Sequence, residues 1–227
     1  MNRFSIGKGT LMVLLLLVVG SASAQIKKQG NGYLLRTKYT KGEVITYVTD
    51  TKTNAQGRDM LISMTMTQKV LSVSRTGAAT VSMTMGKVLL NGKPMGQQVP
   101  EKMQKVTFET DSQGHVKGGG QQNTNVIMPD KPIPVGGTWS ATTNAPIGTG
   151  QSMQVTVTYK LLGFEKKGKY QTAKISVKMS GSGQMAISGT GTMWLNMADG
   201  SMVEYVNKAS MTFGSMQMPM DMTVIRK

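Results

Sequence analysis

Between residues 153 and 161 the chain alternates strictly: Met153, Val155, Val157, Tyr159 and Leu161 point one way, and Gln154, Thr156, Thr158 and Lys160 the other. A period of two marks a β-strand with one dry and one wet face, because successive side chains leave a pleated strand on opposite sides. The pattern recurs at Met60-Ile62-Met64-Met66, Val81-Met83-Met85, Ala173-Ile175-Val177-Met179, Val203-Tyr205, Ala209-Met211-Phe213 and Met216-Met218-Met220-Met222-Val224, with Thr and Ser at most intervening positions. No stretch repeats its apolar residues at the helical period of 3.6. Parallel strands would read as continuous apolar runs and would need helical crossovers, so these strands are expected to be antiparallel.

Turn signals separate the runs at short intervals: residues 54–57, Arg75-Thr76-Gly77, Asn91-Gly92, Ser112-Gln113-Gly114, Lys166-Lys167-Gly168 and Asp199-Gly200. Residues 118–137 hold three consecutive glycines, a Gln/Asn/Thr stretch and Pro129, Pro132 and Pro134, so no interior strand can run through them and they read as a linker. The stretches on either side look alike. Lys41-Gly42 leading to Tyr47 matches Val135-Gly136-Gly137 leading to Trp139, and Met64-Thr65-Met66 through Val70-Leu71 matches Val155-Thr156-Val157 through Leu161-Leu162. Glycine turns follow at Gly77 and Gly168, and then Val81-Ser82-Met83-Thr84-Met85 matches Ile175-Ser176-Val177-Lys178-Met179. The expected architecture is all-β and antiparallel, with two related halves forming a curved sheet, open barrel or sandwich of roughly 10 to 12 strands. Its expected divisions are a leader at 1–24, a first β repeat at 25–117, the linker at 118–137 and a second β repeat at 138–227.

The leader follows from Arg3 and Lys8, an apolar run at residues 11–20 too short to span a bilayer, and the small residues Ala22-Ser23-Ala24, which predict cleavage before Gln25. The chain is thus expected in the periplasm or outside the cell, with no transmembrane segment after cleavage. It has no cysteine, which excludes disulfides, thiol chemistry, zinc-thiolate sites and lipid attachment at a new N-terminal cysteine. The formal net charge is +15, falling to +13 when Arg3 and Lys8 leave 24 basic side chains against 11 acids. Such a field favours anionic envelope partners, although Lys69, Lys87, Lys105, Lys160, Lys174 and Lys178 are scattered singly, as on a solvated strand face. Aromatic residues are only 5% of the chain, too few for a base-stacking platform, so no nucleic-acid partner is expected.

Methionine is the compositional anomaly, at 21 residues. Thioethers fill irregular space and line adaptable cavities, so Met64, Met66, Met83, Met85, Met193, Met216, Met218 and Met220 are the candidate ligand-binding residues, on a concave face suited to acyl chains or other apolar ligands. The plain alternative is that they fill a core. A second alternative is Cu(I) held by Met211, Met216, Met218, Met220 and Met222, although the sole histidine, His115, lies in the other half. Gly181, Gly183, Gly189 and Gly191 lack the following helix that a phosphate loop needs, and Gly189 and Gly191 point instead to a coiled strand or a close backbone approach. With one histidine, no cysteine and no nucleophile elbow, no catalytic residue is expected; Glu43, Asp50, Asp111, Asp199 and Asp221 sit at strand ends and turns. No metal site and no cofactor are expected.

On the glycine-turn-to-aromatic motifs Lys41-Gly42-Glu43 to Tyr47 and Val135-Gly136-Gly137-Thr138-Trp139, the chain resembles a loose set of exported bacterial β-repeat domains. In the number and character of its strands it also resembles the lipoprotein-carrier superfamily. That resemblance implies an unclosed β-barrel and the holding of acyl chains. The expected function is a noncatalytic exported envelope protein with a binding or structural role, either an apolar-ligand (lipid) binder or a scaffold engaging anionic partners.

Overall fold

Alternating Thr and apolar residues produce strands through most of the described chain, in a computed structural model that covers residues 25–55, 57–94, 105–117, 126–146, 152–183, 185–214 and 216–227. The expected leader at 1–24 and the glycine-rich start of the linker at 118–125 lie outside the described residues. The first strands are β1 (Ile26–Gln29), β2 (Gly32–Leu35), β3 (Val44–Ala55), β4 (Arg58–Val73), β5 (Ala79–Leu90), β6 (Lys93–Pro94), β7 (Lys105–Thr110) and β8 (Val116–Lys117). They are followed by β9 (Thr138–Pro146), β10 (Ser152–Lys167), β11 (Tyr170–Ser182), β12 (Met185–Asn196), β13 (Met202–Phe213) and β14 (Met216–Arg226). Every ladder is antiparallel, and the strands of each half follow one another as hairpins. At Asn91-Gly92, φ values of 51° and 79° give the doubly left-handed turn that matches strand twist and joins β5 to β6.

β3 to β14 form one 12-stranded sheet in the order β8-β7-β5-β4-β3-β14-β13-β12-β11-β10-β9, with β6 beside β5; β1 and β2 pair separately. The two halves meet where β14 lies against β3, with Val224 opposite Thr49, Met222 opposite Thr51 and Met220 opposite Thr53. Among the described residues no ladder joins β8 to β9, so the sheet is not closed into a barrel.

Directly opposed residues share a face, so the register identifies the inner face strand by strand. One row runs Trp139, Tyr159, Val177, Gly191, Asn207, Met222, Thr51, Ile62 and Leu90. The outer face carries hydroxyls paired across strands and exposed lysines. Thr46 bonds Thr67 at 3.3 Å, Ser140 bonds Thr158 at 3.0 Å and Thr142 bonds Thr156 at 3.3 Å, while Lys52, Lys69, Lys160, Lys178 and Lys208 are exposed.

The core sits against the inner face at one end of the strands, the base. Ile26 and Leu35 from the β1–β2 hairpin are buried there with Leu161, Ile175 and Leu195, and so is Met128 from the proline-rich segment. Residues 126–133 bridge the two edges of the sheet. Met128 donates its N–H to the Gln113 carbonyl (2.8 Å) beyond β7, and the Trp139 indole on β9 donates to the Ile127 carbonyl (2.7 Å). Tyr33 and Ile133 exchange backbone bonds of 2.7 and 3.1 Å, and the Arg36 guanidinium donates to the carbonyls of Pro129 (2.7 Å) and Asp130 (3.0 Å).

The halves share a local device. Val70 donates to the Glu43 carbonyl and accepts from the Gly42 N–H, each at 2.9 Å; Leu161 donates to the Gly137 carbonyl at 3.0 Å and accepts from Gly136 at 2.7 Å. Immediately afterwards both strands bulge, and the extra residues Leu71 and Leu162 turn outward to solvent.

Candidate functional site

The inner face divides into a packed base and a methionine-rich far end. At the base, Met193 is only 6% exposed and belongs to the core. Met66 and Met83 border a cavity of about 90 Å³ beneath Val126 and Met128, together with Tyr39, Glu43, Tyr47 and Asp199. That volume holds a few waters and falls well short of the several hundred Å³ of a lipid-sized pocket. Met85 lies opposite Met66 and is half-buried.

Toward the other end of the strands the same face carries Met60, Ile62 and Met64 on β4, Met218 and Met220 on β14, and Met211 on β13, all half-buried rather than enclosed. Met218 lies opposite Met211, Met220 opposite Ala209, and Met216 opposite Phe213. Met60 and Met220 also border a cleft of about 440 Å³ at the tip of the β3–β4 hairpin. Of the eight candidate methionines, the structure therefore places Met64, Met218 and Met220 on the half-buried far end. It places Met66, Met83 and Met193 at the base.

Glycines shape this face. A Cβ at Gly191 would lie 2.9 Å from Cε2 of Tyr205, and one at Gly189 would lie 2.9 Å from the Ala209 Cβ. The Tyr205 ring thus rests over the bare backbone of Gly191, the close approach that a glycine at this inward position suggests.

Among the described residues, three buried oxygen atoms on the inner face have no hydrogen-bond partner: Thr49 Oγ1, Tyr205 Oη and Asn207 Oδ1. Their residues are 7%, 7% and 3% exposed. Thr49 and Tyr205 both oppose Val224 from either side of β14, and Asn207 is the next inward residue after Tyr205. An unpartnered buried polar group costs about 1–3 kcal/mol. Burial also raises the Tyr205 phenol, with the nearby Tyr159 adding to the shift, so it remains neutral. Thr49 and Asn207 fall outside the alternating apolar runs of the sequence. The signal for Asn207 was present, because the run Val203, Tyr205, Asn207, Ala209, Met211 sets an amide in an inward register.

Charged groups lie apart from this patch. At the base, Arg226 pairs with Glu43 (3.6 Å) and Asp199 (3.3 Å) and donates to Ser201 Oγ. Burial raises the Glu43 carboxyl, Asp199 raises it further, and Arg226 offsets part of the rise. On the outer face, Glu165 accepts from the Trp194 indole at 2.5 Å and from Lys174 at 3.3 Å, and Lys167 lies 4.1 Å above the Trp194 ring. The indole bond leads the effects that lower the Glu165 carboxyl. His115 bonds Asp111 at 3.0 Å, and the same carboxylate caps the turn by accepting the N–H groups of Gln113 (2.8 Å) and His115 (3.0 Å). Among the described residues no group of three His, Cys, Asp or Glu side chains is placed to hold a metal, and no helix is long and apolar enough to cross a membrane.

No protein-family model matches the chain, and no curated protein does. Among solved structures, one from Bacteroides fragilis described as "a putative exported protein with YMCC-like fold" matches at 11% identity and a TM-score of 0.41, covering 85% of this chain and 99% of that one. A superposition that loose carries no inference about what this chain does.

Proposed function

We propose that the chain is a noncatalytic exported protein that binds apolar ligands on the methionine-rich far end of its inner face. The observation that carries this reading is the unequal covering of that face. The β1–β2 hairpin and residues 126–133 fill the base, whereas Met60, Met64, Met211, Met218 and Met220 remain half-buried at the far end. Flexible thioethers adapt to chains of varied shape, which suits a binder that accepts a class of molecules. Export rests on the expected leader.

The test is uptake of the neutral fluorophore N-phenyl-1-naphthylamine by the purified protein, with native mass spectrometry for co-purifying lipid. Met64→Glu with Met218→Glu is expected to lower affinity at least tenfold, and Leu162→Glu on the outer face to leave it unchanged. Equal affinity in all three proteins refutes the reading.

A second reading is favoured by the outer face, where exposed Lys52, Lys69, Lys160, Lys178 and Lys208 set single-sign charge on the side away from the methionines. Attachment to an anionic envelope surface through these lysines would weaken with salt. Salt-insensitive or absent binding to anionic vesicles removes it.

A further inference from the structure

We infer that Thr49, Tyr205 and Asn207 form the polar anchor of the apolar site, selecting an uncharged amphiphile whose head carries both a hydrogen-bond donor and an acceptor, such as a hydroxyl-bearing acyl ester. This rests on the apolar-ligand reading and specifies which members of that class are taken.

Thr49 Oγ1, Tyr205 Oη and Asn207 Oδ1 are all without partners on residues more than nine-tenths buried. All three residues belong to one patch of the inner face: Thr49 and Tyr205 stand two strand spacings, about 10 Å, apart across β14, and Asn207 is the next inward residue along β13, about 12 Å from Thr49. Their neighbours in the register are Met64, Met222, Val224, Met193 and Gly191, with half-buried Thr51 beside Thr49 and opposite Met222, so the patch is apolar apart from these hydroxyls and the one amide.

Native interiors pair nearly all buried polar atoms, and a cluster of unpaired ones in an apolar wall points to a group that arrives from outside. The chemistry of that group follows from the donors and acceptors. The two hydroxyls can each donate and so call for an acceptor. The amide oxygen only accepts and so calls for a donor. A carboxylate or phosphate offers acceptors alone and brings a charge, for which the patch has no cation. The exposed lysines stand on the opposite face, and Arg226 at the base is already paired with Glu43 and Asp199. A desolvated anion facing an amide oxygen would be repelled. A bare alkane would leave all three atoms unpaired.

The test measures displacement of N-phenyl-1-naphthylamine from the purified protein by 1-monopalmitoylglycerol, methyl palmitate and palmitate, which share a chain and differ in the head. The monoglyceride is expected to bind at least tenfold more tightly than palmitate and more tightly than methyl palmitate. Thr49→Val with Tyr205→Phe removes two oxygens without changing shape and is expected to abolish that preference. Equal affinities for the three heads, as a patch satisfied by water alone would give, overturn the inference, as does a preference that survives in the double variant. The wild-type comparison decides the matter even if that variant does not fold. Failure of naphthylamine to bind the wild type defeats the apolar-ligand reading itself, whereas binding without head preference defeats only the anchor.

Discussion

Replacing Met128 by Ala tests whether residues 126–133 are part of the core rather than a tether between halves. Met128 is 2% exposed and packs among the base residues of both halves. The substitution deletes Cγ, Sδ and Cε. At about 0.8 kcal/mol per buried methylene equivalent this loses roughly 2 kcal/mol of transfer free energy, and the unfilled space brings the total to about 3 kcal/mol. In a chain of this length each kcal/mol moves Tm by about 2–4 °C, so a fall of about 6–12 °C is expected by circular dichroism melting. Val135, in the same proline-rich stretch, is 50% exposed, and Val135→Ala is expected to change stability by no more than about 0.5 kcal/mol. If Met128→Ala falls within the same margin as Val135→Ala, residues 126–133 do not close the base and the account of the core is wrong.

Gly191→Ala would bring a Cβ to 2.5 Å from the Val206 carbonyl and 2.9 Å from the Tyr205 ring, whereas at Gly86 its nearest neighbour would be the Thr65 carbonyl at 3.2 Å. Urea denaturation is expected to show a loss of about 1–3 kcal/mol for Gly191→Ala and clearly less for Gly86→Ala, and the reverse order would contradict the close approach of β13 to the Gly191 backbone. Arg226→Met removes the cation from the Glu43 and Asp199 carboxylates, which are 24% and 21% exposed, and partial solvation together with the bonds Asp199 keeps from Asn196 and Ser201 trims the usual penalty for a broken buried pair to about 2 kcal/mol; an unchanged urea midpoint would show that the network adds nothing. Burial raises the Asp111 carboxyl, but hydrogen bonds from the His115 ring and from the His115 and Gln113 amides outweigh it and leave the group lowered. Its stabilising effect is therefore full above the unfolded value of about 3.9 and lost as pH falls through the folded one, so the stability gap between wild type and Asp111→Asn should narrow from about pH 6 to about pH 2.5. A gap that stays constant or widens over that range would mean the carboxylate is not stabilised by the fold.

Strand character was legible because burial on one side leaves a period of two. β10 shows it without a break from Met153 to Leu161, and the register confirms that its odd-numbered residues face inward. The inner face of β3 was harder to read. After Ile45 and Tyr47 it runs Thr49, Thr51 and Thr53, so polarity alternates no longer and the strand's dry side is lost in the sequence. The role of residues 126–133 was hidden for a different reason. They reach the base through Met128 and through carbonyls offered to Arg36 and Trp139, and contacts made by backbone groups leave no trace in side-chain pattern. The candidate methionines were legible as one apolar face, since alternation assigns sides. Which of them the hairpin would cover depends on contacts remote in the chain, which local pattern does not encode.

The junction of β3 with β14 ties together stretches that are 167 positions apart at the Thr53–Met220 contact. Each meander can zip from its own hairpins quickly, while this closure waits on a long search through chain space. Until it forms, two raw margins stand open in the middle of what will become continuous fabric, each a template for a stray strand from a neighbouring molecule. Slow refolding with concentration-dependent clumping would be the kinetic signature of that late weld.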